Sequence, residues 1–245
     1  MPLAQLAKLR RDCYRPRVTT ILLATRNAHK VAEIRAILGY DFRCLMLDDF
    51  PGAPKVVEDA ETFAGNAAKK AGELAKWLVR IPNSEFRIPN FVLADDSGLE
   101  VDALNGTPGI HSARFAALDS GKPGNSPDAE NNAKLLRLLG KIPAEKCAAQ
   151  FHCTIALTPV PAGKIEVASP VCFADEFETQ IFDGVCRGKI ISAPRGQNGF
   201  GYDPLFVPDG FEKTFAELGD AEKNKISHRS KALAKLKDYF SKLPS

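Results

Sequence analysis

No uninterrupted apolar run in this chain approaches the roughly 18 to 20 residues that cross a bilayer, so no membrane span is expected. There is no CxxC pair either: Cys13, Cys44, Cys147, Cys153, Cys172 and Cys186 are scattered, and no apolar secretory core precedes them. A disulfide framework or zinc site is thereby disfavoured, and the thiols read as reduced, in a cytoplasmic protein. Net charge is small, with 33 basic against 30 acidic residues spread along the chain, so no nucleic-acid partner is expected. Internal repeats, low-complexity tracts and evident linkers are missing as well. What remains is an ordinary globular composition, 44% hydrophobic and 26% charged over 245 residues, enough for a sizeable core. Residues 1–17 carry five Arg/Lys against one Asp and read as a solvated tail, more simply than as a targeting signal.

Patterning then marks the elements. Residues 18–24 (VTTILLA) predict a buried strand, and Asn27 offers an N-cap to a helix with Val31, Ile34, Ile37 and Leu38 inward, stopping at Gly39. A second helix over 62–78 turns Phe63, Ala67, Ala71, Leu74, Ala75 and Leu78 inward, leaving Asn66, Lys70 and Glu73 on a polar edge. The two Ile-Pro pairs of 80–90 predict a loop leading to a short strand at 91–94, followed by a carboxylate-rich turn. Ser126-Pro127 reads as an N-cap and first helical residue, with Leu135, Leu136, Leu138 and Leu139 following before Gly140. Residues 150–158, 164–173, 178–182 and 188–192 predict antiparallel strands, and a last helix starts near Ser227 with Leu233, Leu236, Phe240 and Leu243 on one face.

Four stretches carry chemistry. Thr25-Arg26-Asn27-Ala28-His29-Lys30 sits between strand and helix start, where unpaired N–H groups and the helix dipole attract phosphate. Lys30 in the first turn opposes that dipole by roughly 0.3 to 1 kcal/mol, which a bound anion would offset; a lysine leaning into solvent is the alternative. Asp95-Asp96-Ser97-Gly98 places two carboxylates at an expected strand end, and since neighbouring strand residues point opposite ways, one of them suffices for a site. With Glu58, Asp96 could hold a hard cation such as Mg²⁺, although DDSG is equally an Asx-type turn that needs no ligand. The three glycines around Phe200 and Tyr202 in 194–206 suit backbone approach to a flat, stacked base, or simply a hairpin loop with core aromatics. Past Lys223, Ser227 predicts an N-cap that puts His228 and Arg229 in a first helical turn, a second unfavourable cation placement. Donors of these types suit the O6 and N7 acceptors of a 6-oxopurine, whereas adenine offers an amino donor there.

Taken together, ATRNAHKVAEI, FAGNAAKKA, LADDSGLEVDALNGTPGIHSARFA, FHCTIAL, PRGQNGFGYDPLF and EKNKISHRSKAL resemble, in family order, the Ham1/RdgB family of inosine-triphosphate pyrophosphatases, over about Ile21 to Leu236. The resemblance implies a mixed α/β fold of two lobes around a long central mixed sheet with flanking helices, a single domain over 18–245, a nucleotide cleft between the lobes, Mg²⁺ dependence and a homodimer. It implies hydrolysis of non-standard purine nucleoside triphosphates (ITP, dITP, XTP) to the monophosphate and pyrophosphate. By the same match Asp96 is the proton-accepting and metal-binding carboxylate, Glu58 the other metal-side carboxylate and Ser97 the adjoining substrate contact. Thr25, Arg26, Asn27, Ala28, His29 and Lys30 match the triphosphate segment, with Asn66 and Lys70 toward the phosphates. Phe200, Gly201, Tyr202, Asp203, Lys223, His228 and Arg229 match the base-recognition positions. Arg26 stands where the family's first motif usually has glycine. A Maf-like pyrophosphatase of other base preference and a non-catalytic nucleotide-binding module are the alternatives.

Overall fold

The computed structural model describes residues 18–81, 88–121, 124–161 and 178–243. The tail at 1–17, the strand expected at 164–173 and most of the loop at 80–90 lie outside the described residues.

Strand β1 (Thr19–Leu23) is buried over its last four residues, as its Ile/Leu content requires of a strand covered on both faces. It pairs in parallel with β2 (Phe42–Met46) on one side and with β3 (Phe91–Val101) on the other. From there the sheet turns antiparallel through β4 (Ala148–Pro159), β5 (Gln180–Ile190) and the short β6 (Phe206–Pro208), in the order β2-β1-β3-β4-β5-β6. This is the expected mixed α/β fold.

Helices α1 (Ala28–Leu38) and α2 (Phe63–Leu78) begin at Asn27 and Thr62, whose side chains accept the N–H groups of Lys30 and Gly65. Helix α3 is Asp128–Leu139, α4 is Asp220–Ile226, and α5 (His228–Lys242) is capped by Ser227. The two-residue period of the strands sorts the core. Leu93, Ile155 and Leu157 face Val31 and Ile34 of α1 and Leu233 and Leu236 of α5. Val92, Ala94 and Ala156 face the small-residue stripe Ala67, Ala71 and Ala75 of α2. A third cluster gathers Leu99, Val101, Phe151, Phe206 and Phe215 with Leu135 and Leu139 of α3.

Several expectations are corrected. The strand expected at 91–94 runs on to Val101, so Asp95-Asp96-Ser97-Gly98 is strand and not turn. Its residues are poor strand formers, but β4 pairs with all of them, and that pairing overrides local propensity. The two strands expected at 178–182 and 188–192 are the ends of one strand, β5, which starts at Gln180 and stops at Ile190, for the same reason. The cap of α3 is Pro127, because the Ser126 hydroxyl instead accepts the Ala117 N–H. Leu138 and Leu243 are exposed, the first off the 135/139 face and the second beyond the end of α5.

Gly184 of β5 lets α5 lie directly on the sheet: a Cβ there would overlap the His228 carbonyl oxygen and the Ala232 nitrogen. Gly184→Ala should therefore cost about 1 to 3 kcal/mol in urea unfolding. Gly72→Ala, inside α2 with nothing near the added carbon, should gain about 0.5 to 1 kcal/mol. The same sign for both would contradict this account of the packing.

Candidate active site

The site begins where β1 stops. Its last link to β3 is the Ala24 N–H to the Leu93 carbonyl, 2.7 Å, after which the chain turns through 25–27 into α1. Beyond Leu93 one edge of β3 has lost its neighbour, and the Asp95 carbonyl that β1 could have paired accepts from Lys70 Nζ at 2.8 Å. Asp95 and Asp96 therefore lie in mid-strand beside an opening, and their side chains leave on opposite faces.

On the α1/α5 face, the fully buried Asp95 carboxylate accepts from Lys30 Nζ at 2.5 Å and from Arg229 Nε at 2.8 Å and Nη2 at 3.3 Å. The Ser97 hydroxyl donates to it at 2.9 Å and receives Arg229 Nη2 at 3.0 Å. Arg229, 1% exposed, also pairs with Glu33, and Glu33 pairs with Lys223 at 2.7 Å. Lys223 then reaches Asp203 at 2.5 Å. Lys30, Lys223 and Arg229 are thus matched by Glu33, Asp95 and Asp203. Burial pushes Asp95 up, but the Arg229 and Lys30 charges outweigh it and hold the carboxyl well below its usual value. Glu33 is likewise held down by Arg229 and Lys223 against its burial. At Asp203 burial prevails over Lys223, and the carboxyl is raised. His228 lies flat on Phe151, centroids 4.8 Å apart; burial, then the Arg229 and Lys223 charges, keep it neutral, and its Nδ1 has no hydrogen-bond partner.

The cations at the starts of α1 and α5 thus find their counter-ion within the chain: it is Asp95, shared by both. Sequence reasoning missed this role of Asp95 and missed Glu33 altogether. The available signal was Glu33 one turn beyond Lys30, on the same inward face as Ile34 and Ile37.

On the α2 face stands Asp96. Lys70 Nζ lies 3.7 Å from Asp96 Oδ1 and 3.4 Å from Glu58 Oε1, so one ammonium bridges the two expected metal-side carboxylates. Asp96 Oδ2 and Asn66 Nδ2 are buried without a hydrogen-bond partner. Asn66 Oδ1 accepts the Ala60 N–H at 3.0 Å and so ties the segment carrying Glu58 to α2. Burial raises the Asp96 carboxyl, with Lys70 and Lys30 opposing. Of the polar edge expected on α2, Asn66 and Lys70 turn in and Glu73 is exposed.

Thr25 Oγ1 accepts the Asn27 N–H, and Arg26, Asn27, Ala28 and His29 are exposed at the opening. The Asn27 cap takes the Lys30 N–H, which leaves those of Ala28 and His29 without intrahelical acceptors. In the 194–206 loop, Asp203 Oδ2 accepts the Phe200 N–H at 2.9 Å. Tyr202 points into the core, its hydroxyl donating to the Ser112 carbonyl at 2.9 Å. Gly201 is held on both sides, its N–H by Asp128 and its carbonyl by Asn132 Nδ2. Phe200 presents its ring to His29 and to Lys223 Nζ, 4.6 Å from the ring centre. The expected residues therefore form two groups, Lys30, Ser97, Phe200, Asp203, Lys223, His228 and Arg229 on one face of β3 and Glu58, Asn66, Lys70 and Asp96 on the other. The Tyr202 hydroxyl, Asp203 Oδ2 and the Arg229 guanidinium already have partners within the chain.

The sequence profile of the Ham1 family matches residues 21–239. A dITP/XTP pyrophosphatase of Geobacter sulfurreducens is 45% identical over 91% of this chain and 97% of its own length. One of Geobacillus kaustophilus is 42% identical over 91% and 95%. Among solved structures, a HAM1 protein from Coxiella burnetii is 35% identical with a TM-score of 0.71, covering 92% of this chain and 100% of that one. The Staphylococcus aureus Ham1 protein is 34% identical with a TM-score of 0.69, covering 91% and 98%.

The two adjacent aspartates should separate in stability. A depressed carboxyl such as Asp95 stabilises the fold while ionised, above its unfolded value; Asp95→Asn removes that, leaves the partly exposed Lys30 without its carboxylate and the buried Arg229 with Glu33 alone, so urea unfolding should lose about 3 kcal/mol. A raised carboxyl such as Asp96 costs stability while ionised, so Asp96→Asn should leave the free protein at least as stable. Equal losses would contradict the two environments described.

Proposed function

The chain belongs to the Ham1 family, and from that membership we propose that it hydrolyses the non-standard purine nucleoside triphosphates ITP, dITP and XTP to the monophosphate and pyrophosphate. The observation that carries this reading is the buried, unpartnered Asp96 Oδ2 beside Lys70 and Glu58, at the same strand edge as a helix start with free N–H groups.

Glu58 and Asp96 fit Mg²⁺. Both are hard oxygen donors, they meet at one ammonium, and Asp96 keeps an oxygen without a protein partner. Bound there, the ion supplies neutralisation of phosphate charge and acidification of a coordinated water. The protein's own groups do the rest. The start of α1 binds phosphate oxygens through its N–H groups, and Lys30 and Lys70 offset their charge. Asp96 takes the proton of the water that attacks the α-phosphorus, as a carboxylate held beside the reacting centre. Ser97 adjoins the substrate, and Phe200 offers its ring to the base.

Lys223, His228 and Arg229 set the base choice together: His228 keeps Nδ1 without a partner, while Lys223 and Arg229, bound to Glu33, Asp95 and Asp203, hold its surroundings. Lys223 and Arg229 belong to a network whose carboxylates match its cations, so hydrogen-bond direction rather than net attraction sets the choice. Donors pointed at O6 accept a 6-oxopurine and clash with the amino group of adenine. We also place the protein in the cytoplasm as a homodimer. The described cysteines are free, which suits the first; the second rests on the family resemblance. No described helix is long and apolar enough to cross a membrane.

Pyrophosphate release from ITP, XTP, dITP, GTP, ATP, dTTP and UTP with Mg²⁺ tests the substrate class, and the three 6-oxo substrates without a 2-amino group should lead. Preference for a pyrimidine would point to the Maf-like alternative, and tight binding without product to a module without catalysis. Asp96→Asn should lower kcat by at least about 10²-fold while calorimetry still detects ITP binding. Substantial residual turnover would take the base role from Asp96.

A further inference from the structure

We propose that His29 is a positioning residue for the base: its imidazole, carried at the start of the phosphate-binding helix, braces the Phe200 ring on which the purine stacks. The inference rests on the reading of Phe200 as the stacking platform.

His29 lies inside the segment assigned to the triphosphate, yet its ring is laid on Phe200, with centroids 5.1 Å apart and planes 13° from parallel. Phe200 needs such support. Gly199 and Gly201 flank it with φ of +77° and +61°, a backbone that restrains a side chain poorly. Asp203, Asp128 and Asn132 hold that backbone through its N–H and carbonyl groups, and against the ring itself lie Lys223 Nζ, 4.6 Å from its centre, and His29.

His29, by contrast, stands on a rigid support. Asn27 caps its helix, the adjacent Lys30 is anchored on Asp95, and Glu33 one turn later is tied to Arg229 and Lys223. The stack therefore transmits the fixed position of α1 to the platform and sets the spacing between the phosphate end and the base end of the substrate.

The geometry also excludes one position for the base on Phe200. Inserting a purine between the two rings needs about 7 Å, two layers at about 3.5 Å each, more than the 5.1 Å found. While His29 stays stacked on Phe200, the base does not enter between the two rings.

Steady-state pyrophosphate release from ITP by the full chain tests this. His29→Ala should raise KM about 3- to 10-fold, the range expected for loss of one aromatic pair, with kcat changed less than about twofold. His29→Phe should return KM to within about twofold of the parent, because a flat ring suffices. Inhibition by inorganic pyrophosphate, which reports on the phosphate end alone, should be the same in all three proteins. A lowered KM in His29→Ala would overturn the proposal and make His29 a competitor of the base. Weakened pyrophosphate inhibition with no rescue by phenylalanine would overturn it in favour of a phosphate contact. Phe200→Ala separates the two levels of inference. If it raises KM while His29→Ala does not, the brace fails and the platform stands; if Phe200→Ala leaves KM unaltered, the platform reading fails and the brace with it.

Discussion

One buried carboxylate, Asp95, holds the site together. It is fully withdrawn from water, which by itself disfavours its charge, and stays ionised because Lys30 and Arg229 approach it from the starts of two helices. Each helix start is a poor place for a cation, and each is made acceptable by the same carboxylate. α1 and α5 are thereby tied to one point of β3, and Glu33 and Lys223 extend the tie to the loop carrying Phe200. A buried network of this kind is weak evidence for stability, since well-packed apolar groups can replace one without loss. Its contribution here is placement: it fixes the phosphate-binding start of α1 relative to the strand that carries Asp96.

The chemistry depends on strand parity and on a strand that ends early. Asp95 and Asp96 are neighbours in sequence and opposite in environment: one is enclosed by cations and lowered, the other retains an unpartnered oxygen and is raised. A strand alternates its side chains, so two adjacent carboxylates can divide structural and chemical work without competing for partners. That division would be of no use in a sheet closed on both edges. β1 stops at Leu23 while β3 continues to Val101, and the edge left open admits Lys70 and the helix start beside the two aspartates.

Much of this was legible in the chain. β1, α1 and α2 followed from apolar spacing and, for α1, from the Asn27 cap, because caps and periodicity are local properties. Asp96, Glu58, Asn66 and Lys70 were legible as a group through the family motifs, and the structure brings them to one face. The extension of β3 through Asp95-Asp96-Ser97-Gly98 was not legible, since its cause is β4, more than fifty residues away. The burial of Arg229 was hidden for the same reason: an arginine at a helix start reads as a ligand donor until the carboxylates that take its hydrogen bonds are in view.

The sequence by itself determined the local elements, the residue types offered to a phosphate and a base, and the family. Only the tertiary structure decided which of those residues are already satisfied. Asp95 answers Lys30 and Arg229, Ser112 answers Tyr202 and Lys223 answers Asp203, while Asp96, Asn66 and His228 keep buried atoms without partners. The reason is physical: helix caps and strand periods act over a few residues, whereas the pairing of a buried charge depends on what a distant part of the chain brings within hydrogen-bond reach.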